Sequence, residues 1–329
     1  AWLQGLALDA GPRTDSNRLP KALQAALPEL ETALRALARV RSEHPGEDGT
    51  RLLVELADGQ TVESVLLPRD GLCVSTQLGC AVGCVFCMTG KDGLLRQLGS
   101  AEIVAQVALA RRLRRVHKVV FMGMGEPAHN LDAVVEAIEL LGTEGAIPHK
   151  NLVLSTVGDV RVFERLPQMR VRPALALSLH TTKAGLRAQL LPRAPHIDPA
   201  ALVALGAAWA RATGYPIQYQ WTLIEGVNDS EDEIEGIARL LAGKYAVMNM
   251  IPFNTVDGLD FRRPSAERAA EIARTLHRRG ILTKLRQSAG QDVDAGCGQL
   301  RARESKVAFV RRDEKRAARG TWRGEAADA

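Results

Sequence analysis

Cys80, Cys84 and Cys87 form a C-x3-C-x2-C run, placing three thiolate donors within eight residues. That donor set suits an iron-sulfur cluster or a zinc ion. Gly79 and Gly83 stand within and beside the run and free the backbone to wrap a small object. A structural zinc site wants a fourth ligand, usually from a second C-x2-C or H-x3-H pair, and none follows nearby. Ferredoxin spacing also brings a fourth cysteine. Three ligands on a four-iron cube would leave one iron open for a substrate. Cys73 and Cys297 complete the five cysteines, and each on its own reads first as a buried, inert thiol. An odd count argues against a disulfide framework and toward metal binding or catalytic thiols.

Around this run, short β-rich segments alternate with helical patterns. The strands are expected at 72–75, 118–122, 151–155, 174–179, 217–223, 247–251 and 281–285. Asp198-Pro199 marks one helix start, and Ser230 with Glu233 reads as a capping box at another. Six or seven β/α units in about 230 residues imply a parallel sheet with right-handed crossovers. A closed barrel needs eight, so the fold class expected is α/β, an incomplete (β/α)6-type barrel. Upstream, 19–41 carries helical apolar spacing, and 52–56 with 61–66 flank Asp58-Gly59 as a hairpin. The expected organisation is a helical accessory region over 1–50, a hairpin over 51–71, a core over 72–300 and a basic tail over 301–329.

The 329 residues are 46% hydrophobic and 25% charged, which excludes a disordered or fibrous chain. The longest apolar runs, such as 103–110, are far short of the ~20 residues that span a bilayer, so a soluble, cytoplasmic protein without a membrane partner is expected. A net charge of +5 permits a polyanionic partner without demanding one.

The segments around the cysteines add a resemblance. They are Cys73-Val-Ser-Thr-Gln-Leu-Gly-Cys80, Phe121-Met-Gly-Met-Gly-Glu-Pro127, Leu154-Ser-Thr-Val-Gly158, Leu177-Ser-Leu-His180, Gly226-Val-Asn-Asp229, Ile251-Pro-Phe-Asn254 and Asp294-Ala-Gly-Cys-Gly-Gln-Leu300. In order over about 230 residues, they resemble the radical S-adenosylmethionine (SAM) RNA adenosine methyltransferase family of the RlmN/Cfr type. The resemblance implies a radical-SAM barrel in which Cys80, Cys84 and Cys87 bind a [4Fe-4S] cluster and SAM chelates the open iron. In that family reading, an electron from the cluster would cleave the sulfonium bond to give a deoxyadenosyl radical. It implies SAM contacts at Gly125, Glu126, Ser155, Ser178, Leu179, His180 and Asn254. All lie at or just past the C-terminal ends of the expected strands, where parallel sheets place ligands.

The resemblance further implies that Cys297 takes a methyl group from one SAM, and that a radical from a second SAM removes hydrogen from that methyl. On the same resemblance, the carbon radical would add to adenine, and Cys73 would resolve the protein–RNA adduct through a transient disulfide with Cys297. Glu63 aligns with the family's proton acceptor. Radical addition has a physical reason: carbons 2 and 8 of adenine are electron-poor and carry no lone pair with which to attack a SAM methyl. Carbon 2 of an adenosine in 23S rRNA is the expected target, with carbon 8 and transfer RNA as alternatives. A low-potential donor such as flavodoxin or ferredoxin, and a monomeric state, complete the expectation.

Other readings stay beside it. Without the surrounding segments, the three thiols suit a zinc-stabilised RNA-binding protein, or a radical-SAM enzyme on another substrate. Gly123-Met-Gly-Glu-Pro-Ala128 also satisfies the dinucleotide fingerprint G-x-G-x-x-A, although Pro127 interrupts its turn. Glu63 reads equally as a solvent-facing strand residue, and Trp209 and Trp221 as core. The other six histidines show no ligand spacing. Nine Lys or Arg against three acids between Arg301 and Arg323, and the Arg111-Arg112-Leu113-Arg114-Arg115 run, suit phosphate contact or a solvated helix face.

Overall fold

The computed structural model describes residues 1–6, 20–256 and 258–302. Helix α1 (Lys21–Ala36) gives way directly to a meander of β1 (Ala38–Pro45), β2 (Thr50–Leu56) and β3 (Thr61–Leu67). Asp58 closes the β2–β3 turn by accepting from the Gln60 amide at 3.0 Å, and Gly59 supplies the left-handed φ of +78° that the turn needs. β1 corrects the helical reading of 19–41. The Leu34 and Leu37 spacing runs on into Val40, but Arg39-Val40-Arg41-Ser42-Glu43 alternates, and that charged pattern suits an exposed sheet edge.

β3 pairs antiparallel with β4 (Gly71–Cys73), which continues the accessory strands into the core as one ten-stranded sheet. From β4 the sheet is parallel: β7 (Lys118–Phe121), β8 (Leu152–Thr156), β9 (Ala174–Ser178), β10 (Ile217–Leu223), β11 (Ala246–Pro252) and β12 (Thr283–Leu285) follow in spatial order. All seven expected parallel strands are present. β1 and β12 form the two ends of the sheet order and do not pair with each other, so the barrel stays open. A separate pair, β5 (Gln77–Gly79) with β6 (Leu94–Gln97), brackets the three-cysteine loop. Residue patterning does not mark this pair, because strands of three and four residues carry too short an alternation to stand out.

The crossover helices are α2 (Ser100–Leu113), α3 (Leu131–Gly142), α4 (Val160–Arg165), α5 (Ala184–Leu190), α6 (Pro199–Thr213), α7 (Glu231–Leu241) and α8 (Ala266–Arg278). Asp198 caps α6 through the Ala200 amide, and Ser230 caps α7 through the Glu233 amide. The expected capping box at α7 is only half made. The buried Glu233 carboxylate instead accepts from the Thr181 hydroxyl and from the Thr182 amide and hydroxyl, anchoring the turn just after His180.

The core lies between sheet and helices, with Trp209 and Trp221 inside it. Among the described residues no helix is long and apolar enough to cross a membrane. The Arg111–Arg115 run is largely spent on structure: Arg111 donates to the Leu3 and Gly145 carbonyls, Arg114 to those of Leu67 and Gly71, and Arg115 pairs with Asp70. Apart from its first two residues, the basic tail lies outside the described residues.

Candidate active site

The three-cysteine loop leaves β5 through Gly79, whose φ is +71°. A Cβ there would sit 2.0 Å from the Gly93 carbonyl oxygen, which accepts from the Cys80 amide, so glycine is required twice over. Gly83 (φ +63°) lets the Arg193 guanidinium lie against the loop, where it donates to the Ala81 carbonyl. Val82, Phe86, Met88, Val157, Leu190, Ile224 and Phe253 form a second apolar cluster around Cys80.

This setting governs the thiols. Burial pushes Cys80 up to about 12, and burial also raises Cys84 and Cys87, with mutual repulsion adding to the shift at Cys80 and Cys84. Three protonated thiols close enough to repel one another as thiolates are a donor set that a metal group would deprotonate on binding. Among the described residues no three His, Cys, Asp or Glu side chains converge tightly enough for a single metal ion. Zinc at 2.3 Å from each sulfur needs sulfurs about 3.8 Å apart. A four-iron cube takes each thiolate at a separate corner and does not ask the three sulfurs to meet at one ion.

The Gly125-Glu126 turn follows β7 beside this loop. Gln77 of β5 accepts from the Glu126 amide at 2.6 Å, and a Cβ on Gly125 (φ +107°) would strike the Gln77 side chain at 2.7 Å. The buried Glu126 carboxylate accepts from the Ala128 and Val157 amides, each at 3.0 Å. Burial raises its pKa, and hydrogen bonds from Thr156 and these two amides oppose the rise. Lone pairs remain for an ammonium donor.

Ser155 is the penultimate residue of β8, Ser178 ends β9, and Leu179 and His180 follow with amides bonded to the Gln220 carbonyl. His180 adopts φ +60°, its Nδ1 accepts from the Thr222 amide at 2.9 Å, and its ring meets Phe86 edge-on at 4.9 Å. Burial, then Arg187, pulls its pKa down to about 3, so it acts as a neutral acceptor. Asn254, just past β11, donates to the Cys297 carbonyl and to Ser288 Oγ, both at 2.9 Å, while its buried Oδ1 has no partner. That oxygen is an unfilled buried acceptor.

Cys297 is carried to the three-cysteine loop by hydrogen bonds to the carbonyls of its neighbours. The Met88 amide donates to the Gly298 carbonyl at 2.8 Å, and Thr89 Oγ1 to the Leu300 carbonyl at 2.7 Å. Residue Cys297 reaches solvent, yet its sulfur is desolvated. Desolvation raises its pKa, a hydrogen bond with Ser288 lowers it, and Arg286 lowers it further against a nearby Cys87. Cys73, buried at the end of β4, is raised more strongly, first by burial and then by the charge of Cys297. The two thiols therefore lie within electrostatic reach of each other, and all five cysteines are free.

Glu63 is not the solvent-facing residue that strand alternation permits: it is 1% exposed. One carboxylate oxygen pairs with Arg51 at 2.5 Å, and the other accepts from the Arg301 and Ala302 amides at 2.7 and 3.0 Å. It shares a sheet face with Cys73, because Val65 opposes Cys73 and lies two residues from Glu63. Sequence reasoning missed the cations Arg286 and Arg187 and the hydroxyl Ser288. None belongs to a motif; tertiary placement alone brings them to the thiols.

Comparison with known proteins agrees with this geometry. Residues 74–241 match the Radical SAM superfamily. A protein of Aromatoleum aromaticum named "Probable RNA methyltransferase" is 74% identical over 92% of this chain and 86% of its own. One of Methylibium petroleiphilum with the same description is 78% identical over 87% and 81%. A crystal structure of a radical SAM methyltransferase from Sphaerobacter thermophilus superposes with a TM-score of 0.80 at 37% identity, covering 89% of both chains. The chain belongs to the radical SAM superfamily, within the family of these methyltransferases.

Proposed function

We propose that this chain methylates a ring carbon of an adenosine in RNA, carbon 2 in preference to carbon 8, with 23S rRNA the substrate expected and transfer RNA the alternative. The observation that carries the reading is the convergence of Cys73 and Cys297, distant in sequence, beside the three-cysteine loop. The relatives' printed names supply the RNA. A [4Fe-4S] cluster with SAM, held by Cys80, Cys84 and Cys87, would supply the radical; a flavodoxin- or ferredoxin-like protein would supply the electron.

The chain's own residues divide the remaining work. Glu126, beside Gly125, receives the ammonium of SAM, while Ser155, Ser178, Leu179, His180 and Asn254 make its other contacts. Cys297 is the methyl carrier: Arg286 and Ser288 favour its thiolate, the form that displaces a methyl group. Cys73 stays protonated while its neighbour is charged, which reserves it for resolving the adduct through a transient disulfide. Glu63 is the proton acceptor: its oxygens hold Arg51 and the Arg301 and Ala302 amides, and these three bonds leave a lone pair on the Arg51-bound oxygen for a proton. The test is the appearance of methyladenosine in RNA incubated anaerobically with the reconstituted protein, SAM and a reductant.

Ser288→Ala removes a bond that lowers the Cys297 pKa, so the thiolate forms only at higher pH. The pH profile of Cys297 methylation, read by peptide mass spectrometry, should move to higher pH with its plateau retained. An unmoved profile would remove Ser288 from thiol activation.

A further inference from the structure

Strand register places a row of cations on the face that carries Cys73. Gly71 and Cys73 of β4 oppose Lys118 and Val120 of β7, so Lys118 lies on that face, two residues before the level of Cys73. Following partners around the sheet, Val120 opposes Val153, Val153 opposes Ala174, Ala176 opposes Gln218, Gln220 opposes Asn249, and Asn249 opposes Lys284. Lys284 on β12 therefore lies on the same face of the sheet as Cys73 and Lys118. Arg286, two residues on, donates to Asn249 Oδ1 at 2.7 Å. Arg69, in the turn before β4 with φ +55°, completes the group.

These cations repel one another. Lys118 is half-buried, and after desolvation the influences on it are Arg286, Lys284 and Arg69, with no acid among them. Arg286 likewise feels Arg69, and it also feels the Cys297 thiol. Asp70, the acid next in sequence to Arg69, pairs with Arg115 at 3.8 Å instead. Among the described residues, Arg69, Lys118 and Lys284 have no ion pair or side-chain hydrogen bond. Positive charge gathered from three chain segments, answered among these influences only by the Cys297 thiol near Arg286, is a cost that an external anion relieves.

We propose that Arg69, Lys118, Lys284 and Arg286 form a cradle at the open side of the barrel that grips backbone phosphates of the RNA flanking the target adenosine. The proposal rests on the RNA reading above and adds where the chain holds that substrate. A free anion would need only one enclosed point of charge. Four cations spread across the opening, with Arg69, Lys284 and Arg286 exposed, instead match successive phosphates of a strand entering toward Cys297.

The full-length reconstituted protein and its Arg69→Gln/Lys284→Gln variant would be titrated with a short fluorescent adenosine-containing RNA over a series of salt concentrations. Each lost phosphate contact lowers the slope of log K against log salt by about 0.7 on single strands, so the double variant should lose about 1.4. The loss should be the same for RNAs of different sequence. Lys284→Gln alone, on the exposed edge strand, should lose about 0.7 and serves if the double variant fails to retain iron. Wild-type slopes in the variants, with RNA bound normally by the unaltered protein, would overturn the cradle alone. Unaltered protein that binds no RNA would overturn the cradle and the functional reading together. Saturable binding of inorganic phosphate that the variants lose while their RNA slope is intact would assign the cations to a free anion, against the proposal.

Discussion

Cys297→Ala protein, loaded with iron and sulfide, should accept no methyl group and leave RNA unmethylated, a loss of at least about 10⁴-fold, as expected when a covalent carrier is removed. The chain offers no substitute. Cys73 is buried with its pKa raised more strongly, and Cys80, Cys84 and Cys87 are committed to the cluster loop. Iron content should match the unaltered protein, since Cys297 meets the cluster loop mainly through the backbone of its neighbours Gly298 and Leu300. Peptide mass spectrometry for methylcysteine, together with nucleoside analysis of the RNA, reads both outcomes. Methyladenosine formed by Cys297→Ala protein at the unaltered rate would remove this residue from the reaction.

The second large effect belongs to Cys73→Ala. This change spares the carrier, so the Cys297 methyl group should form and the carbon–carbon bond to adenine should be made. Without a thiol within reach to attack the bridging sulfur, the reaction stops with protein and RNA joined, after a single event per chain. A denaturing gel with labelled RNA should show a band at the summed mass of protein and RNA, sensitive to nuclease and to protease. The truncation is gentle on the fold, because it removes one sulfur from a position between Val65 and Val120. Continued multiple turnover without an adduct would show that another group resolves the intermediate.

Much of this architecture could be read from residue patterns. The seven parallel strands carry β-rich runs between capped helices, and those local signals agree with the tertiary result at Asp198 and Ser230. The cysteine spacing marked the cluster loop, and motif order brought Gly125, Glu126, Ser155, His180 and Asn254 to one end of the sheet. Other features depend on long-range contacts that spacing does not encode. β1 is stabilised by pairing with β2 at an edge, where its charged alternation is tolerated. Glu63 is buried because a chain segment more than two hundred residues later donates two amides to it. Glu233, which local rules assign to a helix cap, serves the His180 turn because three donors there outcompete one backbone amide. Arg286 and Ser288 acquire meaning only once folding brings them to Cys297.

The most direct measurement follows isotope from SAM bearing a fully deuterated methyl group, incubated anaerobically with the reconstituted protein, reductant and RNA. Hydrogen removal from a methyl group held on Cys297 predicts 5′-deoxyadenosine that carries deuterium, and methyladenosine that keeps two of the three labels. Methyladenosine with all three, or RNA methylation without 5′-deoxyadenosine, would contradict it.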